Sequence, residues 1–166
     1  LAPFFNQLGF HVEAFDLQGF GVSDERKGHI DHFSTYRKDI ALFLEKLRET
    51  VPGKGPFIYA ESMGALITLD FLIHYPNAAR GVLLTSPALK DNLPLSLWER
   101  MLIGCCALFK PKRTFSTHFE ADKFTRDETI AKKIELDELE IRQITAKFFY
   151  ETLKTMLFVN LNAKKI

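Results

Sequence analysis

The sequence predicts an α/β fold in which parallel strands alternate with helices, followed by a segment built from helices. Three observations carry that prediction. The runs Pro56 to Ala60 and Gly81 to Thr85 are short, apolar and bounded by turn residues, as buried strands are. Between them, Met63 through Tyr75 sets Leu66, Ile67, Leu69, Phe71, Leu72 and Ile73 almost all round a helix, the pattern of a buried crossover between parallel strands. From Lys90 onward the strand–helix alternation gives way to helical periodicity alone.

Each element has a local reason. His11 to Asp16 reads as a first strand that ends in a loop carrying Gly19 and Gly21. A helix follows from Phe33, with Ser34 expected at its cap and Ile40, Phe43, Leu44 and Leu47 along one face. Pro76-Asn77 stops the helix that begins at Met63. Ser96-Leu97-Trp98-Glu99 has the spacing of a capping box and opens an apolar helix through Phe109, ended by Pro111. That helix is too short, and too charged at its ends, to span a bilayer. Thr125-Arg126-Asp127-Glu128 looks like another capped start, and Ile141 to Phe158 a third helix. The mixed charges from Asp127 to Glu140 suit a solvated helical face. The expected division is a core at 1–89 and a helical unit at 90–166.

Composition limits the function classes. A chain of 166 residues with 46% hydrophobic and 26% charged residues holds one domain with an inserted subdomain. A formal net charge of +1 argues against nucleic acid as the main partner. The two cysteines, Cys105 and Cys106, are adjacent, so they are poorly placed to bridge each other, and their spacing suggests no metal site. They read as buried thiols, which fits a cytoplasmic location.

The segment Phe57-Ile58-Tyr59-Ala60-Glu61-Ser62-Met63-Gly64-Ala65 carries the chemistry. A strand runs into a serine and a helix begins at once, the layout of a nucleophile elbow that holds a serine hydroxyl proud of the sheet. Ala60 stands at the first glycine of the G-x-S-x-G pattern and Gly64 at the second. Small residues are expected there because the strand and helix backbones approach closely. Ser62 is the candidate nucleophile, and the Met63 N–H, at the positive end of the helix, the candidate oxyanion donor. Ala60, Glu61 and Gly64 support the turn.

These motifs together resemble the α/β-hydrolase superfamily, in its monoacylglycerol lipase and lysophospholipase branch, also described as serine aminopeptidase-like hydrolases. Asp16, Gly19, Gly21, Ser23 and Asp24 match that branch's "D-x-R-G-H-G-x-S-D" loop, with Gln18 and Phe20 in place of its Arg and His. Gly28-His29-Ile30 resembles the short stretch that follows. Glu61-Ser62-Met63-Gly64 is similar to its elbow, and Ser86-Pro87-Ala88 to the strand exit into the lid. The resemblance implies a partial α/β-hydrolase core with three parallel strands and a helical lid. It implies a serine hydrolase of carboxylic esters, acting on a small lipid or other ester without a cofactor. Peripheral membrane contact through the lid is a further expectation.

The same resemblance defines what the sequence does not contain. The branch's H-G-x-x-E oxyanion loop would precede Leu1, and the triad acid and histidine would follow the lid in the order Ser, Asp/Glu, His. The sequence therefore resembles an internal fragment, with no triad acid and no triad histidine among its own residues. His74 lies on the helix of Ser62 but about 18 Å along its axis. His11, His29, His32 and His118 are expected in solvated or structural roles. The expected activity of the chain alone is weak or nil. The alternatives are a non-catalytic truncated or split-gene product, and a peptidase or thioesterase on the same scaffold.

Overall fold

The computed structural model describes residues 1–23, 26–51, 53, 55–91, 95–117 and 125–165. In chain order the elements are α1 (Ala2–Gln7), α2 (Ser34–Thr50), β1 (Phe57–Glu61), α3 (Ser62–His74), β2 (Gly81–Thr85), α4 (Leu97–Phe109), β3 (Thr114–Ser116), α5 (Glu128–Glu135), β4 (Gln143–Thr145) and α6 (Ala146–Asn162). A 3₁₀ turn, Ala163–Lys165, follows α6.

The β1–α3–β2 unit forms as its pattern predicts. β1 and β2 pair in parallel, with Phe57 opposite Gly81 and Glu61 opposite Thr85. Along α3, Ala65, Leu66, Ile67, Phe71 and Leu72 are buried, as expected of a helix apolar on nearly every side. Full burial of side chains such as Leu66 or Phe71 contributes about 1.5–3 kcal/mol each. Asp70, on the same helix and 1% exposed, is paired with the Arg37 guanidinium of α2 at 2.7 Å. That ion pair fixes the register between the two helices, and an unpaired carboxylate there would be costly.

The main core crosses the expected boundary between the two units. Tyr36, Ile40 and Leu44 of α2, Leu66 and Phe71 of α3, and Phe148 and Val159 of α6 belong to one cluster with Ile30 and Phe33. A smaller cluster joins Ile103, Cys106 and Ala107 of α4 to Ala146 and Phe149 of α6. α6 therefore packs on both sides.

Several expectations are corrected. Residues 11–16 belong to no strand, because among the described residues no neighbour offers them a ladder. A strand is a pairing relation, and alternation in sequence marks a face without supplying the partner. Among the described residues the parallel sheet thus has two strands, not three. Nor are they buried on both faces, since Phe57, Tyr59 and Leu83 on one face of β1–β2 are exposed. The segment after Lys90 is not purely helical, since β3 and β4 pair antiparallel with Phe115 opposite Ile144. β4 takes the first residues assigned to the third helix, which starts instead at Ala146 behind the Thr145 cap.

The caps are partly as predicted. Ser96 and Glu99 form a reciprocal capping box on α4. At α5 the cap is Asp127, whose carboxylate accepts from the Thr129 and Ile130 N–H groups. Ser34 does not cap α2. The N-cap residue is Phe33, and its N–H donates to the buried Glu151 carboxylate of α6 at 3.1 Å. Of the two cysteines, Cys106 is buried as expected, whereas Cys105 is exposed on the outer side of α4.

Candidate active site

Ser62 stands where β1 turns into α3, at the carboxyl end of the parallel pair. Its φ is +53°, in the left-handed region that non-glycine residues rarely occupy. Such strain persists only when the surroundings impose it. The next strand ends in the same way, with Ser86 at φ +45° immediately after β2. The two turns are tied together, because the Ala88 N–H donates to the Ser62 carbonyl at 3.1 Å. The sequence marked Ser86 only as part of a strand exit. Nothing in its local pattern announced a second left-handed serine.

The N-terminus of α3 has no side-chain cap. Glu61, the N-cap residue, is extended and exposed, so the first N–H groups of the helix, that of Met63 among them, lie beside an exposed Ser62 hydroxyl. Open N–H groups at the positive end of a 13-residue helix suit the negative oxygen of a tetrahedral intermediate. Gly64 differs from expectation, since a Cβ added there would meet only Ala60 Cβ at 3.9 Å, an ordinary contact. Space between strand and helix does not require glycine at this position. Ala60 fits at the other small position.

Among the described residues, the Ser62 hydroxyl makes no hydrogen bond to a histidine. His29 is buried and fully engaged, with Nε2 3.2 Å from Asp31 Oδ1 and Nδ1 2.8 Å from Thr145 Oγ1. A carboxylate can only accept, so Nε2–H donates to Asp31, and in the neutral ring Nδ1 accepts from the Thr145 hydroxyl. The Thr145 oxygen in turn accepts from the Phe148 N–H and caps α6. His74 bonds the Asp70 carbonyl and stacks on Phe158, His11 pairs with Glu13, and His32 is exposed. His118 lies outside the described residues.

The glycine-containing loop has a structural use. Asp16 accepts from the Val22 N–H at 3.0 Å, and Ser23 Oγ donates to the carbonyls of Leu17 and Phe20. Gly21, at φ +51°, lies so close to the Asp16 carboxylate that a Cβ would overlap it. Gly28, at φ +62°, lies against the Gln143 carbonyl and accepts from the Thr145 N–H at 2.9 Å. Together with His29–Thr145 and Phe33–Glu151, these bonds clamp the loop to β4 and α6. Asp24 lies outside the described residues. A cavity of about 620 Å³ opens beside this clamp, lined by Lys27, Glu135, Asp137 and Arg142 among others, and Ser62 is not part of its wall.

The family model described as serine aminopeptidase, S33 (Hydrolase_4) matches residues 1–166. The chain belongs to this family. It is an α/β-hydrolase of the branch that holds monoacylglycerol lipases and lysophospholipases. It is 27% identical over 162 residues to the phospholipase YtpA of Bacillus subtilis, across 94% of this chain and 60% of that protein. It is 29% identical over 136 residues to a probable lysophospholipase L2 of Haemophilus influenzae, across 75% of this chain and 44% of that protein. The crystal structure of a monoacylglycerol lipase from Paleococcus ferrophilus superposes with a TM-score of 0.87 at 25% identity, over 99% of this chain and 62% of that one. The chain thus spans about 60% of the length of these two better-covered relatives.

Proposed function

We propose that this Hydrolase_4 chain is the nucleophile-bearing part of a serine hydrolase that cleaves carboxylic esters of small lipids, monoacylglycerols or lysophospholipids in class. The observation that carries the reading is Ser62 at φ +53° before an uncapped helix N-terminus. Lipase and phospholipase relatives make a lipid ester the favoured substrate class. Ser62 Oγ bonds to the ester carbonyl carbon while its proton passes to an imidazole base. The Met63 N–H stabilises the resulting oxyanion, the alcohol departs with the proton, and water then releases the acid from the acyl-enzyme. Loss of one oxyanion donor typically costs about 10²–10³ in turnover. Residues 1–89 carry the nucleophile, and 90–166 supply a lid that meets the lipid surface and, through α6, part of the core.

A second reading concerns the chain by itself. The Ser62 hydroxyl lacks a histidine partner among the described residues, which favours a weakly active or inert protein unless a base is added. Fluorophosphonate labelling separates the outcomes, with Ser62→Ala as control. The expected result is slow labelling that depends on Ser62 and accelerates with added imidazole. Labelling that survives Ser62→Ala, or none in folded protein even with imidazole, would remove Ser62 as the nucleophile.

A further inference from the structure

Among the described residues, Ser62 and Ser86 are the two non-glycine positions with positive φ, at +53° and +45°. They are also neighbours. β1 and β2 run parallel with Glu61 opposite Thr85, so the two serines are the first residues beyond the sheet on adjoining strands. The carboxyl end of a parallel sheet is where open α/β folds bind their ligands. The strain at Ser62 follows from the turn that takes β1 directly into α3. Residues 86–91 form no helix, so the strain at Ser86 has a different origin.

The path of the chain supplies it. An extended Ser86 would carry the chain straight on along β2, and Pro87 disfavours the right-handed helical region for the residue before it. The left-handed turn instead brings Ala88 across the end of the sheet, where its N–H donates to the Ser62 carbonyl at 3.1 Å. That carbonyl and the Met63 N–H are the two ends of one planar peptide unit. A bond that holds the oxygen therefore fixes the direction in which the N–H points. It also polarises the unit, because hydrogen bonds in series strengthen one another by about 10–30% each. The Ala88 bond occupies the carbonyl side of the unit, and the trans geometry leaves the N–H on the opposite side.

We propose that Ser86 and Ala88 are positioning residues for the oxyanion donor. The left-handed turn at Ser86 holds the Ala88 N–H on the Ser62 carbonyl, and that bond aims and polarises the Met63 N–H. The proposal rests on the serine-hydrolase reading above and adds to it what orients the donor. The action is through the backbone, so the Ser86 hydroxyl has no part in it.

The test compares the rate of Ser62 labelling, with imidazole added, by a fluorophosphonate and by its analogue with P=S in place of P=O. In both, Ser62 Oγ bonds to phosphorus, fluoride leaves, and imidazole takes the hydroxyl proton. The phosphoryl oxygen stands where the ester oxyanion would and draws on the donor, whereas sulfur accepts hydrogen bonds only weakly. Ala88→Pro deletes the N–H, and Ser86→Val denies the turn, because a β-branched residue strongly resists positive φ. Each is expected to slow fluorophosphonate labelling about tenfold, a part of the roughly 10²–10³ lost with a whole oxyanion donor, and to leave the P=S rate within about twofold. Ser86→Gly takes positive φ freely and should label with both probes at the parent rates. Far-UV circular dichroism checks folding, and if Ala88→Pro does not fold, the contrast between Ser86→Val and Ser86→Gly decides. Equal slowing with both probes overturns the proposal in favour of a purely structural brace. Parent rates in folded Ser86→Val overturn it too, and a Ser86→Gly variant as slow as Ser86→Val overturns it in favour of the hydroxyl. Parent labelling at Ser62 with an unchanged ratio between the probes in the variants counts against the positioning role alone. A folded parent chain that does not label, or labels no faster than Ser62→Ala, removes the hydrolase reading and the positioning role with it.

Discussion

Glu151 offers the sharpest test of how the C-terminal helix is joined to the core. It sits on α6 and is 3% exposed, yet its carboxylate closes the start of α2, accepting from the Phe33 N–H at 3.1 Å. Its other oxygen accepts from Lys147 Nζ at 3.1 Å, with Lys154 Nζ 3.6 Å away. Truncation to alanine leaves the buried Phe33 N–H at the start of α2 without an acceptor, a cost of about 1–3 kcal/mol. Glu151→Ala should therefore destabilise by about 1–3 kcal/mol. Glu151→Gln keeps an oxygen for Phe33 and loses only the charge pairing, so about 1 kcal/mol is expected.

The pH dependence provides an independent check. Burial alone would raise the Glu151 carboxyl, but the hydrogen bonds from Phe33 and Lys147 and the charges of Lys147 and Lys154 hold it below its ordinary value near 4.5. The unfolded chain then binds more protons than the folded one in this range, so stability rises with pH. The Glu151 contribution is complete above its ordinary value and lost as pH falls through the folded one. Urea unfolding at pH 7 and pH 3, followed by circular dichroism, should show the gap between parent and Glu151→Gln closing at the lower pH. The reasoning fails if Glu151→Ala costs less than about 0.5 kcal/mol, the size of an ordinary surface change. It also fails if the glutamine gap persists undiminished in acid.

Three further outcomes are expected. Gly28→Ala should destabilise by about 2 kcal/mol or more, because φ +62° and overlap with the Gln143 carbonyl both oppose a Cβ, and the same urea titration measures it. Gly64→Ala should be neutral or stabilise by up to about 1 kcal/mol, since the new methyl finds open space in the first turn of α3, and a rise in thermal midpoint reports it. Ser62→Gly should stabilise by about 1 kcal/mol by relieving φ +53° while abolishing fluorophosphonate labelling, a pairing seen by running both assays on one sample.

What the sequence made legible follows the range of the forces involved. β1, α3 and β2 could be read because a short apolar run, an all-round apolar helix and a proline stop are local signals, and the capping box at Ser96 is written in four adjacent residues. The turn at Ser62 is legible for the same reason. The local pattern points to Ser34 as the cap of α2, because the acceptor that serves Phe33, Glu151, is 118 positions away. The β3–β4 pair is illegible because three-residue strands lie below the length at which alternation can be counted. Residues 11–16 carried the alternation of a strand, but alternation does not supply the neighbour that makes one.

The site and the clamp divide the loop motifs between them, and that division bears on how the protein is built. Asp16, Gly21 and Ser23 spend their polar groups within their own loop, and Gly28 and His29 spend theirs on β4 and the cap of α6. None of these bonds reaches Ser62. The strained end of the sheet, with Ser62 and Ser86 side by side, is held by a different set of contacts, from the Ala88 N–H and the packing of α3. The hydrogen bonds around Ser62 and those that attach the C-terminal helix are thus separate sets, joined through the core that α3 and α6 share. Mutations in the clamp should shift stability and the seating of α6 while Ser62 keeps its φ, and mutations at the elbow should do the reverse. A clamp variant such as Thr145→Val that lowered stability but labelled at Ser62 at the parent rate would fit this separation. Equal loss of both would mean that one cooperative unit carries the strain.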